Sequence, residues 1–157
     1  MGFVLAQYGQ PLQFSEIAVM LIKNEIDEQE AFSIQAMKYN RCSPYRNVSN
    51  DFNYFKFILE VLKQRERISY EQFIVSTFSN DGNVAEFLKT IDENTFGEPA
   101  EVEAFLRAEY GTNLKAQTIL RDYPDVVLRV LIITGFVSIQ FRGKVFIYRN
   151  FANDDYI

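Results

Sequence analysis

The sequence predicts a mainly helical fold with short β-hairpins, organised as winged-helix subdomains in which helix-turn-helix elements support a wing. Apolar residues recur at intervals of three and four along several segments, which is typical of helices packed on a core. Two short segments alternate apolar and polar residues around a glycine turn, as hairpins do. With 157 residues and 48% hydrophobic content, the chain can bury a substantial core.

The first part of the chain predicts a hairpin and two helices. The hairpin is expected over residues 2–14, with its turn at Gly9. Ser15 then stands where an N-cap is expected, and an apolar helical face follows it. A second helix is expected over residues 28–39. Residues 41–50 are polar, contain a proline and show no sustained period, so we expect a surface loop and an internal boundary there.

The middle of the chain predicts a helix-turn-helix. An apolar stripe begins near Asp51 and continues at intervals of three and four up to a charged run at 63–67. Ser69, with Gln72 three positions later, matches the capping box that starts a helix. Residues 79–83 are typical turn residues, and a new apolar face follows them. Two short helices are therefore expected on either side of a turn.

Three further helices are expected in the last third of the chain. Pro99 suits the first turn of a helix that stops at Gly111. A short helix is expected over residues 114–120. Pro124 again suits the first turn of a separate helix, and the apolar run through 126–133 predicts that this helix is buried.

Residues 136–148 alternate apolar and polar around a turn, which predicts a hairpin of the wing type. Its opening at 135–137 and its turn at Gly143 echo the opening at 2–4 and the turn at Gly9. Two wings are expected unless this echo is chance similarity. Because no helices precede the first wing, we expect the chain to begin inside a module of a longer protein. The expected division is the end of a first winged-helix module at 1–48, a winged-helix module at 49–150 and an exit linker at 151–157.

Composition limits the functions that this chain can have. With no histidine and one cysteine, Cys42, the sequence cannot form the usual zinc sites, a Ser-His-Asp triad or an internal disulfide. A single thiol fits a reducing, cytoplasmic setting. Without a leader or an apolar run near the roughly 20 residues of a membrane span, we expect neither secretion nor membrane insertion. The net charge of −5 argues against a surface that binds phosphates uniformly, so any DNA contact must be local.

Motifs for catalysis are weak. Pro124-Asp125 is the one Pro-Asp pair, and no Asp/Glu-x-Lys follows it, so helix initiation explains it better than a metal-dependent nuclease site. Gly143-Lys144 lacks the upstream glycine and the following Ser or Thr of a phosphate loop. The acidic residues between 25 and 30 lack the spacing of a calcium loop and fit a solvated face. We therefore expect no catalytic residue, metal site or cofactor in this chain.

Three groups of polar side chains are candidates for DNA contact. The first combines cations, amides and rings in one loop, with solvated charges as the alternative. The second lies at the ends of the helix-turn-helix, where capping and turn roles are the alternative. The third consists of the wing cations, where protection of an edge strand is the alternative. In that order, the groups are Lys38, Asn40, Arg41, Tyr45, Arg46 and Asn47; Tyr70, Gln72, Asn80 and Asn83; and Arg142 and Lys144.

Short passages in chain order carry a family resemblance. They include Gly2-Phe3-Val4 with Gly9, Leu12-Gln13-Phe14-Ser15-Glu16, the helices at 31–39, 53–62 and 68–73, and Arg121-Asp122-Tyr123-Pro124-Asp125 leading to Thr134-Gly135-Phe136. These passages resemble the AlwI-type and FokI-like type IIS restriction and nicking endonucleases. Ser15 and Ala18 stand where that family usually has Thr and Gly.

The resemblance implies DNA recognition without cleavage. In the family, this region reads the target and precedes a separate nuclease domain, which is expected to use Mg²⁺. The implied partners are double-stranded DNA and the protein's own nuclease domain or a partner subunit. The alternative is a winged-helix module for protein interaction or dimerisation that does not itself bind DNA, which the acidic balance and the aromatic excess favour. An independent enzyme has no residue constellation behind it.

Overall fold

The computed structural model describes residues 3–5, 8–38 and 52–152. This part of the chain is mainly helical and carries a small three-stranded antiparallel sheet, which confirms the mainly helical prediction. The predicted loop at 41–50 and residues 153–157 of the predicted linker lie outside the described residues. In chain order the elements are β1 (Val4–Leu5), β2 (Gln13–Phe14), α1 (Glu16–Ile22), α2 (Glu28–Lys38), α3 (Tyr54–Arg65), β3 (Arg67–Ser69), α4 (Tyr70–Ser76), α5 (Val84–Glu93), α6 (Pro99–Tyr110), a π-helical turn (Thr118–Asp122), α7 (Tyr123–Ile133), β4 (Val137–Phe141) and β5 (Val145–Arg149).

The first hairpin and α1 form as predicted. Val4 pairs with Phe14 across the antiparallel strands. The Ser15 hydroxyl accepts from the backbone N–H of Ala18 at 3.3 Å, which confirms it as the N-cap of α1. A small hydrophobic cluster centred on Ala31, which is fully buried, holds α1 against α2.

Asn53 joins the described end of α2 to the start of α3. Its side-chain oxygen accepts from the N–H of Lys56 at 3.1 Å, so it is the N-cap of α3. Its amide nitrogen donates to the carbonyls of Ala36 and Met37 at 3.0 and 2.9 Å. One side chain therefore hydrogen-bonds backbone groups at the described end of α2 and at the start of α3.

The main core is built around α3. The stripe predicted from Asp51 lies on this helix, although the helix itself begins at Tyr54. Phe55, Ile58 and Leu62 are at most 5% exposed, and they pack in one cluster with residues from the other helices and the sheet. The predicted separation of the chain near residue 48 stays a prediction. Ser33 of α2 donates to the carbonyl of Thr134, at the end of α7, at 3.3 Å.

The predicted hairpin is confirmed as β4 and β5, and we name its turn, residues 142–144, the wing turn after the winged-helix prediction. A third strand extends the hairpin. The strand order is β3-β5-β4, with every pair antiparallel. In the sequence Ile68 directly precedes Ser69, the predicted helix cap. In the structure it is the centre of β3, pairs with Ile147 and is 1% exposed. The predicted capping box follows directly, since Ser69 accepts from the N–H of Gln72 and Gln72 accepts from the N–H of Ser69.

The expected break before Pro124 is absent. Residues 116–133 follow one helical path, and a π-helical turn lies just before the proline. The backbone N–H of Tyr123 donates to the carbonyl of Thr118, five residues earlier in the chain. A proline has no N–H to donate and its ring crowds the preceding turn, and a wider π turn accommodates both effects. Pro124 therefore lies in the first turn of α7, as predicted, but α7 continues directly from the π-helical turn instead of beginning after a break. Among the described helices, none is long and apolar enough to cross a bilayer.

Candidate nucleic-acid interface

One side of the three-stranded sheet is polar and aromatic and lies opposite the core. Tyr148 of the central strand β5 pairs with Arg67 of β3 on one side and with Ser138 of β4 on the other. Paired residues share a side of the sheet, and so do residues two positions away. The intervening Ile147 is fully buried on the other side. We name the outer surface, together with the wing-turn arginine and without Ser69, which caps α4, the sheet face. Its members are Arg67, Ser138, Gln140, Arg142, Phe146 and Tyr148.

Arg67 is held in place on the sheet face by two aromatic side chains. Its guanidinium lies 4.9 Å from the centre of the Phe146 ring. Its Nη1 donates to the Tyr148 hydroxyl at 3.1 Å. This hydrogen bond raises the pKa of Arg67 above its usual value, and Glu66 beside it contributes in the same direction. The side chain remains exposed, so a fixed positive charge faces solvent.

Arg142 is oriented by the same tyrosine from the wing turn. Its guanidinium lies 5.9 Å from the centre of the Tyr148 ring, and its Nη2 donates to Gln140 at 3.2 Å. Gly143 follows at φ 73°, a conformation that favours glycine and allows the tight turn. Two exposed arginines thus share one aromatic support, and none of the six residues of the sheet face is acidic.

Lys144 is attached to the segment between α5 and α6. Its ammonium donates to the carbonyl of Gly97 at 3.1 Å. The backbone N–H groups of Gly97 and Glu98 donate to Glu101 and hold the pKa of that carboxyl below its usual value, and Lys144 adds to this effect. The wing turn is therefore anchored to the start of α6.

The predicted helix-turn-helix residues have structural roles. Gln72 belongs to the capping box of α4, and Asn83 caps α5 by accepting from the N–H of Glu86 at 3.1 Å. The Tyr70 hydroxyl donates to Asp125 at 2.9 Å, and burial followed by this hydrogen bond raises the pKa of Tyr70. The two helices of the predicted helix-turn-helix also pack on different elements, α4 on α6 and α5 on α3. A direct role of these side chains in reading DNA stays a prediction.

Asn80 and Asn83 border a hollow whose charge is negative. Asp81, Glu86 and Glu109 also line this hollow. Burial raises the pKa of Tyr110, and the same three carboxylates raise it further. Because carboxylates repel phosphate, this surface favours DNA contact less than the sheet face does.

The structure places one member of the predicted loop group. Lys38 is the last residue of α2, and it is exposed. The other members, Asn40, Arg41, Tyr45, Arg46 and Asn47, lie outside the described residues. Their contact with DNA stays a prediction.

Sequence reasoning missed Arg67, Ser138, Gln140, Phe146 and Tyr148 as parts of one surface. The sequence identifies Arg142 because it lies in a hairpin turn, which is a local signal. Arg67 lies 81 positions from Tyr148 in the sequence, and β3 has only three residues. The pairing of β3 with β5 therefore has no periodic pattern in the sequence from which it could be predicted. Alternation from Arg67 to Ser69 was the available signal, but it is too short to distinguish a strand from a helix cap.

The described carboxylates do not gather into a metal site. In residues 3–5, 8–38 and 52–152, no three His, Cys, Asp or Glu side chains form a group that could hold a metal ion. Mg²⁺ in a nuclease is held by as few as one or two carboxylates together with waters and phosphate oxygens, so the position of the nuclease metal belongs to the proposed function.

Comparison with known protein families identifies the group to which the chain belongs. The model of the AlwI restriction endonuclease family matches residues 1–157. A comparison with curated proteins finds no match. Since the family match extends over all the residues of the sequence, the chain is a member of the AlwI restriction endonuclease family.

Proposed function

We propose that this chain recognises double-stranded DNA through the sheet face, for a nuclease segment that lies elsewhere. In this proposal the chain carries no cutting chemistry of its own, and Mg²⁺ belongs to the nuclease segment. The family supports DNA as the partner. The stacked arginines of the sheet face are the single observation that carries the proposal.

The element order supports a winged-helix unit between α3 and β5. The helix α3 leads through β3 into α4, and a hairpin after α7 returns a strand that pairs with β3. In this interpretation α7 precedes the wing, while α5, α6 and the π-helical turn are an insertion. Such units present a helix and a wing to the DNA grooves and backbone.

The aromatic support explains how an acidic chain could bind DNA. An arginine that moves freely loses side-chain entropy when it binds a phosphate, by about 0.5–1.5 kcal/mol. Arg67 and Arg142 are already positioned against Phe146 and Tyr148, so less entropy is lost. A planar guanidinium on a ring also keeps its outer N–H groups available for phosphate or a base edge. Two positioned cations provide the local contact that a net charge of −5 requires.

Exposed apolar side chains favour a second candidate, a protein-interaction or dimerisation module. Phe141 beside the wing turn is 76% exposed, and Val126 on α7 is 61% exposed. A contiguous apolar patch at a surface marks a protein contact, so this candidate requires such side chains to lie together. This module would dimerise without responding to DNA.

The test compares Arg67→Ala and Arg142→Ala with a matched control, Lys89→Ala. Lys89 is exposed on α5 and pairs only weakly with Glu93 at 3.7 Å. Binding of the full chain to a random-sequence duplex is measured by fluorescence anisotropy between 50 and 200 mM salt. Each arginine variant is expected to bind about tenfold more weakly and to reduce the salt slope by about 1, because one phosphate contact is lost.

The control shows whether DNA binding depends on the sheet face or only on the overall charge of the protein. Lys89→Ala changes the net charge by the same amount and is expected to bind as the wild type does. Equal weakening in all three variants would contradict the sheet face as the site. A dimer in gel filtration that shows no salt-sensitive DNA binding would instead support the second candidate.

A further inference from the structure

We propose that a cavity between α4, the start of α6 and the π-helical turn binds a single unstacked nucleobase. This inference rests on the proposed DNA recognition and adds a second kind of contact to it. We name this space the α4–α6 cavity, and its main lining residues are Tyr70, Glu71, Ile74, Gln117, Leu120 and Arg121.

The size and the walls of the α4–α6 cavity fit a flat ring. Its volume is about 340 Å³, within the roughly 300–1,000 Å³ of small-molecule sites. Ile74 and Leu120 supply apolar walls, and Tyr70 supplies an aromatic one. The Tyr70 ring is fixed because its hydroxyl donates to Asp125 at 2.9 Å. Any of the four bases can stack on an aromatic side chain, because every base has a π face.

A carboxylate oxygen in this lining has no hydrogen-bond partner. Oε2 of Glu71 is buried and accepts no hydrogen bond within the described part of the chain. A buried acceptor without a donor is unfavourable, and rotation of the Glu71 side chain into the cavity would let a ligand with N–H groups satisfy it. The amino and imino groups on the pairing edges of cytosine, adenine and guanine are such donors.

The other polar groups at the cavity favour a base over a cationic side chain. Gln117 and Arg121 also line it, and both are exposed at its mouth. A lysine or arginine from another protein would be attracted by Glu71 but repelled by Arg121. A neutral ring with both donors and acceptors instead complements a carboxylate, an amide and a guanidinium together.

The cavity also lies close to the sheet face along the chain and in space. Lys144 of the wing turn donates to Gly97, and Pro99, two residues further, lines the cavity. Tyr70 directly follows β3, which carries Arg67. DNA held at the wing would therefore pass near the cavity mouth. The π-helical turn includes Leu120 and Arg121, and turns of this kind are frequent at functional sites.

The first test uses nucleosides and the full chain. Deoxycytidine and deoxyguanosine are titrated to millimolar concentrations while backbone amide signals are followed by NMR. Saturable shifts are expected at Glu71 and Ala116. Glu71→Gln keeps the shape but removes the charge and replaces one acceptor oxygen with an N–H₂ donor, so binding is expected to weaken roughly tenfold to a hundredfold. The matched control is Glu93→Gln on the exposed surface of α5, which is expected to change nothing.

A second variant tests the space itself. Ala116→Leu places a larger side chain in the lining and is expected to abolish nucleoside binding while the helix is kept, since leucine is a good helix former. The proposal is overturned if Glu71→Gln binds as the wild type does, or if nucleosides cause no saturable shift. Tighter, Glu71-dependent binding of acetyl-arginine amide would also overturn it and would identify a protein side chain as the occupant.

A duplex carrying 2-aminopurine separates this inference from the proposed function, because that base brightens when it leaves the stack. The wild type is expected to raise its fluorescence. Ala116→Leu is expected to bind the duplex with unchanged salt dependence but without the rise. Salt-sensitive binding with no rise in the wild type would contradict the cavity alone. No DNA binding at all would contradict the proposed function, while the nucleoside titration still tests the cavity.

Discussion

The two hairpins of this chain share a local design and differ in nearly everything else. In each, a phenylalanine carbonyl just before the first strand accepts from the residue just after the second. Phe3 accepts from Ser15 at 2.9 Å, and Phe136 accepts from Asn150 at 2.8 Å. Each loop also carries a glycine at positive φ, 77° at Gly9 and 73° at Gly143. The echo in the sequence therefore corresponds to an echo in backbone geometry.

Their surroundings are different. The strands of the first hairpin have two residues each, and those of the second have five. The second hairpin gains β3 as a third strand and buries Phe136 and Ile147 completely. The first leaves Phe14 54% exposed, and residues 2–14 carry no charged side chain. The hairpin motif thus determines the geometry of the turn. Pairing with a distant strand and packing on the core are what make the second hairpin a supported surface with positioned cations.

The largest expected difference between the hairpins is in stability. Ile147→Ala removes fully buried methyl groups at the centre of the sheet and is expected to lower the free energy of unfolding by about 2–5 kcal/mol. Phe14→Ala in the first hairpin is expected to change the free energy of unfolding by no more than about 0.5 kcal/mol, because its ring is already half exposed to solvent. Urea denaturation measures both. Similar losses in the two variants would show that the first hairpin is as well supported as the second.

A smaller effect is expected at the two turn glycines, which form a matched pair. At both Gly9 and Gly143 an added Cβ meets no atom within 4 Å, so only backbone strain distinguishes alanine from glycine. Gly143→Ala is expected to lower the free energy of unfolding by about 1 kcal/mol. Gly9→Ala is expected to lower it less, because a weakly supported hairpin opens locally before the whole protein unfolds.

Hydrogen exchange distinguishes local from global opening in this pair. The amides of Ser15 and Asn150 occupy equivalent positions in the two hairpins. Gly9→Ala is expected to reduce protection at Ser15 alone, and Gly143→Ala at Asn150. Reduced protection at both amides in either variant would mean that the hairpins open together.

The features that could be predicted from the sequence depend on local chemistry. Ser15, Ser69 with Gln72, and the helix end at Gly111 follow from capping rules, and all three are observed. The π-helical turn before Pro124 could not be predicted, because the same proline also fits the first turn of a new helix. Local signals identify where helices begin, but they do not show whether two helices are joined.

The candidate site divides in the same way. The wing turn at Arg142 has a local signature, so the sequence identifies it. The pairing of Arg67 with Tyr148 joins residues 81 positions apart, and three residues of β3 carry too little pattern to predict it. Glu71 was not expected to matter, because its unpartnered oxygen becomes visible only once α4 is packed.

The smallest predicted effect tests whether positioning the arginines matters beyond their charge. Tyr148→Phe keeps the ring beneath Arg142 but removes the hydroxyl that accepts from Arg67. Stability is expected to change by less than about 1 kcal/mol, since the hydrogen bond is exposed. DNA affinity is expected to fall roughly twofold to fivefold, through lost ordering of one guanidinium. The salt slope is expected to stay constant in the same anisotropy assay, because no cation is removed. A reduced slope would mean that Tyr148 keeps Arg67 on the phosphate itself, and unchanged affinity would mean that Phe146 alone positions this arginine.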